Sequence, residues 1–140
     1  MELTTYQQDV LNAKICPYCK SETRITTEFE IYRRVYRSRA IIACANFPNC
    51  DSYVGTHEDG EPLGRLGDKK LRYHKGRAHH WFDKIWREKF KDRTELYEEL
   101  AEFLNIPDKY THMGMFQKKT CIKVEKWAEQ YYKKLKNDIR

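Results

Sequence analysis

Cys16-Pro17-Tyr18-Cys19 and Cys44-Ala45-Asn46-Phe47-Pro48-Asn49-Cys50 decide the fold of the N-terminal half of this chain. Four of the five cysteines lie in these two stretches. A Cys-x2-Cys turn presents two thiolates from one tight knuckle, and a tetrahedral zinc ion takes four such ligands at about 2.3 Å each. Twenty-four residues separate Cys19 from Cys44. That is room for two antiparallel strands and a turn that bring the knuckles together. The spacing predicts a zinc ribbon in which Cys16, Cys19, Cys44 and Cys50 hold one structural Zn2+. Four cysteine ligands leave no open position, so the metal reads as scaffold rather than reagent. Buried core thiols or redox cysteines are the competing readings, and the paired spacing favours metal over both. His57, seven residues past Cys50, is an alternative to one of the cysteines, whereas Cys121 falls on an apolar helical stripe and reads as core. The first 55 residues carry few large apolar side chains, so this module is expected to unfold without metal.

Between the knuckles, residues 24–32 alternate. Ile25, Thr27, Phe29 and Ile31 form one face and Arg24, Thr26, Glu28 and Glu30 the other, the pattern of a half-buried strand. Residues 33–39 are a basic hairpin connection, residues 40–44 a second strand, and residues 51–55 offer a third. Upstream, Leu3, Tyr6, Val10 and Leu11 fall near helical spacing in a short arm. Residues 57–64 have turn chemistry and mark a module boundary.

From residue 67 the period becomes helical. Asp68 stands at an N-cap position, and a helix to about residue 90 puts Leu71, Ala78, Phe82, Ile85 and Trp86 on one arc, with Trp81 at its border. Gly76 lies inside it and costs about 1 kcal/mol relative to Ala. Asp92-Arg93-Thr94-Glu95 is a capping-box pattern. It starts a second helix that turns Leu96, Leu100, Phe103 and Leu104 inward and stops before Pro107. A third helix, from about residue 117 to 136, carries a stripe of Cys121, Val124, Ala128, Tyr131 and Leu135, with Trp127 at the edge. The expected fold class is α+β: a zinc-ribbon-like β-hairpin module with an N-terminal arm over 1–66, then a three-helix module over 67–140.

Charge is uneven along the chain. The formal net charge is +6, and residues 67–91 hold 9 Lys/Arg against 3 Asp/Glu, while residues 1–66 hold 8 against 9 and residues 92–140 hold 10 against 9. A local basic block suits a polyanion partner and also serves solubility. With a charged fraction of 34% and a mean hydropathy of −0.91, a soluble protein is expected. No run approaches the roughly 18 apolar residues of a membrane span, and the first residues carry neither a basic nor an apolar leader region. A cytoplasmic protein without a membrane partner is the expectation, and reduced thiols there favour metal over disulfides.

The histidines build no catalytic pattern. His74 and His79 are five apart and His79 and His80 adjacent, so neither pair puts two imidazoles on one helix face. No HExxH, Gly-rich phosphate loop or nucleophile elbow is present. His112 reads as a hydrogen-bonding or capping residue of the connection before the third helix, and Asp83 as a surface or inter-helix contact. A non-enzyme is expected. Two basic features remain. Lys70, Arg77, Lys84 and Lys91 are seven apart and drift only about 20° per step, giving a ridge on the first long helix that could track phosphates. Glu95, Glu98, Glu99 and Glu102 of the next helix could partly neutralise it. Arg33, Arg34, Arg37 and Arg39 with Tyr32 and Tyr36 make a second cluster, in which aromatics suit stacking on unpaired bases.

The second knuckle, Cys44-Ala45-Asn46-Phe47-Pro48-Asn49-Cys50, resembles that of the zinc fingers at the C-terminus of bacterial type I topoisomerases, over roughly residues 16–54. That resemblance implies binding of single-stranded DNA. Nearly the whole chain is similar to a phage and prophage family of unknown function, described as a zinc-finger-containing domain. The shared marks are Cys16-Pro17-Tyr18-Cys19, Tyr53-Val54-Gly55-Thr56-His57, Pro62-Leu63-Gly64-Arg65-Leu66, Ala78-His79 with Phe82-Asp83-Lys84-Ile85-Trp86, and His112-Met113-Gly114-Met115-Phe116 followed by Cys121. Two functions follow as expectations. The first is non-enzymatic binding of nucleic acid, DNA ahead of RNA, by Arg33, Arg34, Tyr36, Arg37, Arg39, Lys70, Arg77 and Lys84. The second is a phage-encoded adaptor or modulator of a host protein complex, with an exposed apolar patch around Trp81, Trp86 or Trp127.

Overall fold

A computed structural model describes residues 3–107 and 111–138. The chain divides into two compact units, Met1–Lys69 and Lys70–Arg140. In the first, α1 (Thr5–Leu11) is followed by β1 (Thr23–Thr27), α2 (Glu28–Tyr32), β2 (Ala40–Cys44) and β3 (Tyr53–Gly55). The strands form one antiparallel sheet in the order β1-β2-β3. The arm is helical because Thr4 and Gln7 cap it reciprocally, which satisfies two otherwise orphaned amides. Thr23 Oγ1 donates to the Ala13 carbonyl at 2.7 Å and ties the arm to the sheet. Ala13, Cys16, Cys44, Val54 and Leu66 are buried together, with Ile42 and Cys50 packed against them. Leu66 joins this core because Gly67 exchanges two backbone hydrogen bonds with Tyr53. The segment after the 57–61 turn thus returns to the sheet.

Alternation over residues 24–32 misplaces both the element and its buried face. The strand stops at Thr27, whose side chain accepts from the Glu30 amide and starts α2. Thr27-x-x-Glu30 is itself a capping pattern. Within β1, Ile25 is 78% exposed and Thr26 only 6%. Register explains the inversion. Thr26 pairs with Ile41, which faces the buried side, and its hydroxyl donates to the Glu30 carboxylate, so burial leaves no polar atom unpaired. Glu28, expected on the solvent side, is buried.

The second unit holds α3 (Lys69–Arg87), α4 (Arg93–Leu104), a 3-10 turn (Met113–Met115) and α5 (Lys118–Asp138). Leu71, Ala78, Phe82 and Ile85 of α3 pack with Leu96 and Leu100 of α4 and Cys121, Val124, Ala128 and Tyr132 of α5. α3 runs unbroken through Gly76, where an added Cβ would meet nothing within 4 Å. α4 begins as expected: the Asp92 carboxylate accepts from the Thr94 and Glu95 amides. Two core positions differ from the expected stripes. Phe103 is exposed and Ala101 is buried in its place. Phe103, 48% exposed, stacks on Trp127 instead. On α5, Tyr132 rather than Tyr131 completes the stripe, four residues beyond Ala128. The hydroxyls of Tyr132 and Tyr131 donate to Glu88 at 2.7 Å and Glu99 at 2.9 Å, which anchors α5 to carboxylates following α3 and on α4. Trp81, Trp86 and Trp127 are half-buried against this core. Among the described residues, no helix is long and apolar enough to cross a membrane.

Candidate metal centre and basic loop

Both knuckles are closed by their own backbone. In the first, the Lys20 amide donates to the Cys16 carbonyl and the Cys16 amide to the Ser21 carbonyl, each at 2.9 Å. Lys20 takes a left-handed φ of 64° to make that turn. In the second, the Phe47 amide donates to the Cys44 carbonyl and the Cys50 amide to the Asn46 carbonyl. The extra residues are accommodated with a cis Phe47-Pro48 bond. β1 and β2 set the distance between the knuckles by pairing Thr23 with Cys44.

The result is a single cluster. The sulfurs of Cys16, Cys19, Cys44 and Cys50 all lie within 4.8 Å of one another. Cys16 Sγ is 3.6 Å from Cys50 Sγ, and Cys19 Sγ is 3.4 Å from Cys44 Sγ. A tetrahedron with metal–sulfur bonds of about 2.3 Å has sulfur–sulfur edges of about 3.8 Å, so the cage fits a zinc ion. When bound, zinc supplies a four-way crosslink and no open position for substrate. His57 is not among the clustered ligands; its amide and carbonyl close the exposed turn that ends at Glu61.

Donors surround the sulfurs. The Asn46 amide points at Cys44 Sγ at 3.4 Å and the Asn46 side chain at Cys19 Sγ at 3.6 Å. The same side chain donates to Ser21 Oγ at 2.7 Å. Ser52 Oγ lies 3.2 Å from Cys16 Sγ and 3.7 Å from Cys50 Sγ. Such partners orient metal ligands and tune their basicity. Ser21, Asn46 and Ser52 do not stand out in the sequence, although a signal exists: a serine stands two residues after the second cysteine of each knuckle. Without metal the thiols are unequal. Hydrogen bonds from Ser21, then Cys44 and Asn46, bring Cys19 down to about 6. Burial pushes Cys50 up to about 12 and raises Cys44. Cys121 is buried in the helical core, outside the cluster.

A family described as a zinc-finger-containing domain matches residues 12–131. The chain belongs to this family. The match takes in both knuckles, all three strands, α3, α4 and most of α5. No curated protein and no solved structure matches the chain.

The zinc-finger domain carries the basic loop between its two knuckles, and that loop is built around Glu28. Glu28 Oε1 accepts from the amides of Tyr36 at 3.1 Å, Arg37 at 3.0 Å and Ser38 at 2.8 Å. Successive amides converging in this way form an anion cradle. Burial acts to raise the Glu28 carboxyl, but hydrogen bonds from the Arg37, Tyr36, Ser38 and Arg39 amides outweigh it and hold it below the ordinary carboxylate value. With the backbone turned inward, the side chains turn outward. Arg33, Arg34 and Arg37 are exposed, as are Tyr36 (62%), Val35 (60%) and Phe29 (56%). Arg34 lies over the Tyr36 ring at 6.0 Å, and Tyr36 meets Tyr32 edge-on at 5.5 Å. Arg39 differs: it is half-buried and pairs with Glu58 at 3.7 Å.

The helical ridge is largely neutralised. Arg77 pairs with Glu125 of α5 at 3.2 Å and Lys84 with Glu88 at 3.0 Å. Lys91 reaches Glu95 and Glu99 of α4 at 3.7 and 3.5 Å. Lys70, at the start of α3, is exposed. Asp83 gathers partners along its own helix: it accepts from Trp86 Nε1 at 3.0 Å and lies 3.4 Å from His79 Nδ1. His112 flanks the 3-10 turn, where its carbonyl accepts from the Met115 amide.

Proposed function

We propose that this protein binds nucleic acid without enzymatic action, through the loop at residues 33–37 that the zinc-clamped ribbon holds in place. The observation that carries this is the joint exposure of Arg33, Arg34 and Arg37 with Tyr36 and Phe29. Among the described residues, the ribbon's ion pairs involve Arg24 and Arg39 but none of these three arginines. Exposed guanidiniums suit phosphates, and exposed rings beside them suit the faces of unpaired bases. Arg77 and Lys84 contribute little, because each already faces a carboxylate. A closed cage of four cysteines leaves the metal a structural part, and a reducing cytoplasm is the compartment in which it persists.

The test is fluorescence anisotropy with labelled single- and double-stranded DNA and RNA. Binding is expected to weaken as salt rises and to fall when Arg33, Arg34 and Arg37 are replaced together by Ala. No binding to any of these probes at about 50 mM salt refutes the proposal. A second reading, a docking surface for a protein, draws support from the exposed apolar side chains of the ribbon, Ile25, Phe29 and Val35. Under that reading nucleic acid does not compete with the partner, and Ile25→Asp disrupts docking more than loss of the arginines does.

A further inference from the structure

We propose that Glu28 is the positioning residue of this loop, setting the direction of Tyr36 and Arg37 through the backbone rather than by touching a ligand. Its buried carboxylate accepts from three consecutive amides, those of Tyr36, Arg37 and Ser38. Fixing these amides fixes the backbone from which Tyr36 and Arg37 project. Beyond the edge-on contacts of Tyr36 with Tyr32 and of Tyr32 with Tyr53, the side chains of residues 33–38 are exposed. A pre-ordered loop gives up less conformational freedom on binding than a free one. The cradle has the character of an anion site, and Glu28 fills it from within the chain. Phosphates are thereby left to the outward guanidiniums and not to the loop's backbone.

This positioning role has a signature that simple electrostatics reverses. Glu28→Ala removes a negative charge beside a cationic surface. Charge alone therefore predicts tighter binding to a polyanion. Loss of loop order predicts weaker binding. Glu28→Gln removes the same charge but retains an oxygen able to accept from the amides, so it separates the two effects.

The experiment compares the wild-type chain with Glu28→Ala and Glu28→Gln, each at verified zinc content. It reads amide exchange at residues 36–38 by NMR and affinity for a fluorescein-labelled oligothymidylate of about 20 residues. Glu28→Ala is expected to speed exchange at these amides at least about tenfold and to weaken oligonucleotide binding about tenfold. Glu28→Gln is expected to stay closer to wild type in both. Unchanged amide protection in Glu28→Ala, or binding as tight as wild type or tighter, overturns the proposal. The affinity arm rests on the nucleic-acid reading, whereas the exchange arm does not. A wild-type chain that binds no oligonucleotide sinks that reading, and exchange at 36–38 still decides whether Glu28 orders the loop.

Discussion

Removing the metal should unfold the first unit and leave the second folded. Among the described residues, the first unit buries only four large aliphatic side chains: Val10, Ile41, Val54 and Leu66. At about 1.5–3 kcal/mol each, they contribute roughly 6–12 kcal/mol before any ordering cost. A structural zinc held by four thiolates supplies about 10–16 kcal/mol near neutral pH. Chelation therefore removes an amount comparable to or larger than the whole apolar core provides, and the entropy of ordering the chain then dominates. The second unit has no ligand of the cluster and buries Leu71, Phe82, Ile85, Leu96, Leu100, Phe116 and Val124 among others. The assay is hydrogen exchange by mass spectrometry on the full chain under reducing conditions, before and after an excess of a tight chelator, with zinc measured in parallel. Peptides covering residues 13–56 should lose their protection, while those covering α3, α4 and α5 keep theirs. Restored zinc should restore the first set. Persistent protection of β1 and β2 in demonstrably zinc-free protein would refute the reasoning.

Three further outcomes follow from the same geometry. Zinc affinity should rise with pH, because each ligand binds as a thiolate: the bound state lowers the thiol pKa, so the stabilisation is complete above the unfolded value of about 8.5 and is lost as pH falls. If the free ribbon is unfolded, binding at pH 7 releases about four protons; a cage that persisted without metal would release fewer, since Cys19 there sits at about 6. Calorimetry in two buffers of different ionisation enthalpy counts them. Asn46→Ala removes the side chain that reaches both Cys19 Sγ and Ser21 and is expected to weaken zinc binding about 10–100-fold; chelator competition showing wild-type affinity would contradict this. Phe82→Ala empties a fully buried site in the helical core and should cost about 3–5 kcal/mol, read as earlier melting of the second unit with zinc content unchanged.

The metal site and most helices were legible in the sequence because their chemistry is local. Two short cysteine spacings already specify a set of soft ligands. Asp92 caps the helix that it announces, and the arc of Leu71, Ala78, Phe82 and Ile85 follows from the helical period. What local pattern could not decide was which partner each side chain would meet. Alternation over residues 24–32 shows two faces, but the pairing of Thr26 with Ile41 chooses the buried one. A run of arginines shows charge, but only folding places Glu125 beside Arg77 and leaves Arg33, Arg34 and Arg37 outside the ribbon's ion pairs. Glu28 shows the difference most clearly. In the sequence it is one acidic residue on the hydrophilic side of a strand. In the fold it is the buried anion around which the amides of residues 36–38 close. Ligand spacing is written in adjacent residues, whereas burial and charge pairing depend on segments that meet only when the chain has closed on itself.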